Sequence, residues 1–384
     1  MTSQTEVRKN MGTKQNVLGL VFASIHDEAV YDLTKLRTMG SVPFGGRYRL
    51  IDFPLSNFVN SGLAQVGVIT KRNYGSLLDH IGSGREWDLA RKKGGLHLLP
   101  PYSHTSSNMY HGRLDALGNV WSFVEHSSAE YVILADCDIV TNIDLRPAIE
   151  AHIESGADIT AVYAKGYYDQ LTGAAATIFG IGGDGFVNDV MIDPPMTGSC
   201  NLGLDMYIMS KDFLRRIVKE SMSRNRTSLR KDILLDRGAS YRILAYEHTG
   251  YYSRIDSLAS YFAANLDLLD TEKRTALFTK NAPIFTKTQD NAPVRFGQES
   301  HIKNSLIADG CVIEGKVENC VLFRGVRIGK GSVVRDSVIT QDTVIGARCS
   351  IRNVITDKNV AIADERQLTG SAGYPLFIGK GAQI

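Results

Sequence analysis

The chain has 384 residues, with 43 Lys and Arg against 41 Asp and Glu, for a formal net charge of +2. That balance argues against a basic nucleic-acid binder and against an acidic tail, while 43% hydrophobic and 22% charged residues describe a folded globular chain. One core does not suffice at this length, so two unequal domains are expected.

In chain order, residues 1–16 are polar and lack an apolar core, which reads as a flexible leader and not as a secretion signal. Aliphatic runs then recur at Val17–Ser24, Gln65–Thr70, Tyr131–Ala135 and Ile159–Ala164, with amphipathic segments such as Leu114–His126 and Pro147–Ser155 between them. Strand–helix alternation of this kind implies an α/β domain over 17–268 with a Rossmann-like, mostly parallel sheet. Ligands of such sheets sit beyond the strand C-termini. No run nears the roughly 20 apolar residues needed to cross a bilayer, so no membrane partner and a cytoplasmic location are expected. The five cysteines, Cys137, Cys200, Cys311, Cys320 and Cys349, are odd in number and widely spaced, as reduced thiols are. The nine histidines are scattered, with no spacing for a structural zinc.

Residues 269–295 read as a linker, and beyond them the pattern changes. Aliphatics recur in steps of six, from Ile307 to Ile313, from Leu322 through Ile328 to Val334, and from Ile339 through Ile345 to Ile351. That period suits a short left-handed parallel β-helix over 296–384, each hexapeptide making one side of a triangular coil. The steps slip between Ile313 and Leu322 and between Val334 and Ile339, which places a loop or irregular corner there and leaves about three coils. The edges of so short a solenoid favour burial against another subunit, so a homo-oligomer or a larger assembly is expected.

The first βα turn is where such a domain holds phosphate, using glycines for close backbone approach and a cation for charge. Here it reads Ser24-Ile25-His26-Asp27-Glu28-Ala29, with two acids, no glycine and neither Arg nor Lys. A triphosphate would meet bulky side chains and like charge.

Several segments are more specific. Leu33–Arg37, the run Pro43-Phe44-Gly45-Gly46-Arg47-Tyr48-Arg49-Leu50-Ile51-Asp52-Phe53-Pro54-Leu55-Ser56-Asn57, Tyr110-His111-Gly112-Arg113-Leu114-Asp115-Ala116 and Ala263-Ala264-Asn265-Leu266-Asp267-Leu268-Leu269 together resemble bacterial ADP-glucose pyrophosphorylase (glucose-1-phosphate adenylyltransferase). The resemblance covers nearly the whole chain. It implies a nucleotidyltransferase domain followed by the β-helix, and a role in glycogen synthesis.

Carried over residue by residue, the family's catalytic positions are mostly replaced. The glycines of its Gly-Gly-x-Gly-x-Arg loop fall on Ser24, Ile25 and Asp27, and the loop's arginine falls on Ala29. A catalytic lysine falls on Met39, followed by Gly40, and a metal-binding aspartate falls on Arg254, beside Tyr252. The second metal aspartate maps near Asp136-Cys137-Asp138 and is lost, or retained as Asp138, depending on a one-residue shift. The Glu-Lys-Pro sugar-phosphate grip becomes Ile192-Asp193-Pro194, and a further sugar segment becomes Ser228-Leu229-Arg230-Lys231-Asp232. No catalytic residue, no metal and no cofactor is therefore expected for this chain, with Mg²⁺ belonging to a catalytic partner.

Within the family this combination points to the GlgD-type regulatory subunit, which assembles with a catalytic GlgC-type chain in a heterotetramer. Arg37 and Arg49, with Arg47 beside them, match positions lining a pocket for anionic sugar-phosphate or nucleotide effectors, although a neighbouring lysine becomes Leu36. The same arginines could instead pair with acids such as Asp52 at a domain or subunit contact. Gly112, Asp115 and Asp138 are candidates for a vestigial nucleotide pocket or for plain loop formation. Lys231 and Asp232 are either sugar-site remnants or a surface pair. Two rival readings remain: an active homomeric adenylyltransferase, and a hexapeptide acyltransferase, which would need a solenoid histidine that is missing beyond His301.

Overall fold

Every residue of strand β1 (Val17–Phe22) is buried, as a strand covered on both faces must be. The computed structural model describes residues 16–101, 110–170, 176–236 and 240–384, so the expected leader lies outside the described residues except for Asn16. β1 pairs in parallel with β2 (Gln65–Ile69) and with β4 (Tyr131–Asp136), and β3 (Gly95–Leu99) extends the parallel edge beyond β2. Past β4 the sheet becomes antiparallel. There β9 (Thr197–Ser210) runs against β4, β6 (Ile159–Asp169) and β7 (Thr177–Ile181), and β8 (Val187–Ile192) pairs with β7. β10 (Ile243–Glu247) joins β6 in parallel, completing nine strands. A separate ribbon pairs β5 (Ile139–Thr141) with β11 (Tyr252–Arg254). Among the described residues no helix is long and apolar enough to cross a membrane.

Two features of this sheet position the site. Phe22 at the end of β1 lies in register with Asp136 at the end of β4, so the first turn and the Asp136–Asp138 segment emerge side by side. The β9 pairing slips between Gly203 and Tyr207, and Asp205 inside that slip has φ +52°. A bulge of this kind re-aims a side chain.

The C-terminal part is a parallel solenoid of three five-stranded sheets, which corrects the expectation of three coils. Inward aliphatics stack in columns, one of them Ile313, Ile328, Ile345 and Ile362, with the exposed Phe296 in register at its head. Neither slip in the hexapeptide pattern is a loop. Strand Lys316–Glu318 fills the first, stacked between His301–Lys303 and Val333–Arg335. The second is a tight corner at Asp336, whose φ of +45° repeats the left-handed backbone of Asn304, Asn319 and Asn353 at the same corner of other coils. Asn and Asp tolerate that conformation, and they ladder there: Asn304 Nδ2 donates to Asn319 Oδ1 at 2.8 Å and Asn319 Nδ2 to Asp336 Oδ1 at 3.2 Å.

The two parts share one core. Val321, Phe323, Val338 and Ile355 of the solenoid belong to the same buried cluster as Phe44, Leu50, Tyr261 and Leu268. Tyr261 Oη donates to Pro43 O at 2.8 Å, and Gly45 N–H donates to Asn265 Oδ1 at 2.9 Å. The family-like run Phe44–Asn57 is thus largely interior to this chain and not a free subunit surface. Beside it, Arg37 Nη2 donates to Asp357 Oδ2 at 2.9 Å, with both side chains buried. Removing one partner of such a pair strands the other charge. Asp357→Ala is therefore expected to destabilise the chain by about 3 kcal/mol or more in urea unfolding, and Arg37→Met combined with Asp357→Leu to recover most of that loss.

Candidate functional site

The first turn is closed on itself. Asp27 Oδ1 accepts the Met39 N–H at 2.7 Å, and Thr34 Oγ1 donates to Asp27 O. Met39 is 1% exposed and belongs to the main core, Ser24 is buried, Ile25 packs against the second core and Ala29 points to solvent. The sequence reading missed a cation here. Lys71 approaches Asp27 and Glu28 electrostatically, and its ammonium lies 5.7 Å from the Tyr110 ring centre. Burial lowers the Lys71 pKa despite those acids.

Beyond this turn the strand ends bring together Asp136 and Asp138 from β4 and the segment after it, Asp205 from the β9 bulge, and His26. One ligand-type atom from each lies within 4.8 Å of all the others. Two guanidiniums stand among them. Arg113, at the start of the helix Arg113–Asn119, hydrogen-bonds both Asp136 oxygens and lies 3.2 Å from Asp205 Oδ1. Arg254, on β11, donates to Asp205 Oδ2 at 2.8 Å and to Gly203 O at 2.6 Å, and lies 3.9 Å from Asp138 Oδ2. His26 Nε2 is 2.8 Å from Asp136 Oδ2 and 3.9 Å from Asp138 Oδ2.

These neighbours set the protonation states. Burial is the largest single influence and would raise Asp136 and Asp205, but Arg113 acting together with His26 at Asp136, and with Arg254 at Asp205, outweighs it and holds both below the usual carboxylate range. Asp138 goes the other way: burial raises it and the more distant His26 and Arg254 do not compensate. Burial alone would lower His26, yet Asp138 and the Asp136 hydrogen bond raise it. The sequence reading singled out only Asp138 and Arg254 of this group.

The remaining nucleotide and sugar candidates are held by local structure. A Cβ on Gly112 would lie 2.2 Å from Thr227 O, so glycine is required there by a close backbone approach. Asp115 Oδ2 accepts the His111 N–H at 3.0 Å. Asp232 Oδ2 accepts the N–H groups of Thr227 and Ser228 at 2.9 and 2.8 Å; the expected surface pair with Lys231 is not formed, because the carboxylate is committed to those amides. Asp193 Oδ1 accepts the Ala176 N–H at 2.6 Å and lies 3.8 Å from Arg230. A cavity of about 320 Å³ opens over Arg254, walled by Tyr167, Tyr168, Gly203, Tyr252 and Asp256.

A second recess lies at the domain junction, where Arg47 and Arg49 face His80, Lys287, Arg324 and Lys358. Arg49 Nη1 donates to Ser76 O, and its backbone N–H, not its guanidinium, donates to Asp52 Oδ2 at 2.9 Å. His80 instead pairs with Asp52 at 2.6 Å. Arg37 departs from the effector expectation, because it is buried and bound to Asp357. Burial, with Arg49 and Arg37 nearby, pushes Lys358 down to about 8.

The closed turn carries a pH signature. Burial raises Asp27 from 3.8 to about 7 in the folded chain. Folding then favours the protonated acid, so its contribution is fully present below the unfolded value and is lost as pH rises through about 7. Asp27→Asn keeps an oxygen for the Met39 N–H and removes this titration. Urea unfolding at about pH 4 and about pH 8 is expected to show the wild type losing on the order of 1 kcal/mol relative to the variant between them, after discounting for partial exposure.

Residues 28–173 match the family described as Nucleotidyl transferase, and residues 290–371 match the one described as GlmU-like, C-terminal hexapeptide. The glycogen biosynthesis protein GlgD of Bacillus subtilis (strain 168) is 33% identical over 371 residues, 95% of this chain and 96% of that protein. GlgD of Geobacillus stearothermophilus is 35% identical over 83% of this chain and 82% of its own. The glucose-1-phosphate adenylyltransferase of Clostridium perfringens (strain 13 / Type A) is 33% identical over 87% of this chain and 85% of its own. With such identity over most of its length, the chain belongs to the bacterial glucose-1-phosphate adenylyltransferase family that includes the GlgD proteins.

Proposed function

We propose that this chain is the regulatory, non-catalytic subunit of a glucose-1-phosphate adenylyltransferase, the enzyme that makes ADP-glucose and pyrophosphate from ATP and glucose 1-phosphate for glycogen synthesis. One observation carries the reading: Arg254, where the family resemblance places a metal carboxylate, is hydrogen-bonded to Asp205 inside a closed charge cluster. Adenylyl transfer depends on Mg²⁺ and cationic groups that stabilise charge developing on the phosphates. Losing one such stabiliser costs about 3 kcal/mol, roughly a hundredfold in rate. Here Met39 and Ala29 stand in place of two cations, and the turn has no glycine to cradle phosphate.

On this reading the chain acts in the cytoplasm by assembling with a catalytic GlgC-type subunit in a heterotetramer, and Mg²⁺ serves the partner's site. The cationic junction recess is the place for effector control. Arg47 and Arg49 come from the α/β domain, Lys287 from the connection, and Arg324 and Lys358 from the solenoid, so an anionic sugar phosphate or nucleotide held there would bridge all three. Because a bound anion favours protonated Lys358, its affinity falls as pH rises through about 8.

The test is turnover by the pure chain, by its catalytic partner and by the mixture. Silence alone with enhancement on mixing is the expected result. Turnover by the pure chain well above an Asp138→Asn control would instead establish the active homomeric enzyme. Substituting Arg47 and Arg324 by Ala is expected to weaken binding of inorganic phosphate to the isolated chain about tenfold, measured by calorimetry at about pH 7.

A further inference from the structure

The family resemblance implies a divalent cation near Asp138, and the residues present do not fit one. Three carboxylates and an imidazole converge closely enough to coordinate an ion. Yet Arg254 lies 2.8 Å from Asp205 Oδ2 and 3.9 Å from Asp138 Oδ2, and Arg113 lies 3.2 Å from Asp205 Oδ1. An ion at that point would meet two guanidiniums and would have to compete for oxygens already hydrogen-bonded. One atom is left over. Asp138 is 2% exposed, and its Oδ1 has no hydrogen-bond partner. A buried carboxylate oxygen in that state has room to accept a further donor.

We propose that the Arg254 guanidinium is a built-in replacement for a divalent cation: it bridges Asp205 and Asp138, excludes metal from their side of the cluster, and by its removal would open Asp138 and Asp205, with His26, to a metal ion. Arg254 is suited to this by position. It sits on β11, which among the described residues pairs only with β5, so its side chain reaches the cluster from outside the main sheet. It also forms part of the wall of the 320 Å³ cavity, so trimming it opens a route from that cavity to the acids. Arg113 is the less suitable candidate, since its hydrogen bonds to both Asp136 oxygens leave Asp138 untouched. The inference shares Arg254 with the proposed subunit role, but metal binding by the isolated chain tests it without turnover or a partner, so the two can fail separately.

The test uses the full chain, with Mn²⁺ as probe, read by electron paramagnetic resonance and by melting temperature in Mn²⁺ against EDTA. The wild type is expected to bind no Mn²⁺ at the cluster and to melt at the same temperature in both. Arg254→Ala, and Arg254→Met as a bulkier uncharged variant, are expected to melt lower in EDTA and to regain stability with one bound Mn²⁺. Their affinity should exceed that of the wild type by roughly tenfold or more. Adding Asp138→Asn to either variant should abolish the gain. Two results overturn the proposal: Mn²⁺ binding by the wild type that Asp138→Asn removes, or no Mn²⁺ binding by either Arg254 variant.

Discussion

Charges buried among strand ends must be balanced from within, and that constraint organises the α/β domain. Asp136, Asp138 and Asp205 are each almost inaccessible to water, and leaving three carboxylates there uncompensated would cost several kcal/mol each. Arg113, Arg254 and His26 answer them, and each arrives on a different element. Arg113 enters at the head of a helix, Arg254 on the accessory ribbon, and His26 in the first turn. The bulge that gives Asp205 its left-handed backbone follows from the same need, because a regular strand would alternate its side chains past the cluster. Once these groups are paired, the turn, the ribbon and the bulge hold one another in place.

The second organising feature is the continuity of core across the domain junction. A solenoid whose Val321, Val338 and Ile355 join the core of the neighbouring domain does not hang from a flexible tether. Buried Arg37–Asp357 and the cations of the junction recess lie on the same seam, and Lys358 follows Asp357 directly in the chain. An anion drawn to Arg47, Arg324 and Lys358 would act on the residue next to the buried ion pair. A binding event there has a short physical path to the relative placement of the two domains, which regulation through subunit contacts requires.

How much of this the sequence disclosed depended on whether the signal was local. The six-residue aliphatic period identified the solenoid because each side of a coil repeats the same packing problem. The number of coils was missed because one corner is turned by a single Asn or Asp in the left-handed region, as at Asp336, which shortens a side to five residues and breaks the apparent register. Met39 and Ala29 could be flagged as replacements because they lie at fixed offsets from the recognisable Phe44-Gly45-Gly46 run. Asp205, Arg113 and His26 could not be grouped, since they are brought together only by strand register and a bulge. For Arg37 the sequence left open both an effector role and a pairing with an acid at a domain contact; the structure shows the pairing, but its partner Asp357 is 320 residues away, and nothing near either residue announces the other.

A chain that kept the acids of a metal centre but lost the metal would be left with an unbalanced interior. Substituting one ligand by alanine or asparagine would leave the other acids repelling each other in a low-dielectric site. Placing arginine there removes a negative charge and adds a permanent positive one in a single step, and the planar fork can bond Asp205 and a backbone carbonyl together. The fold then no longer depends on an ion that must be captured from solution. On the proposed reading, the arginine that stands in place of a metal ligand also balances the buried acids without an ion, which accounts for Asp136, Asp138 and Asp205 persisting beside a first turn closed by Asp27 and Met39.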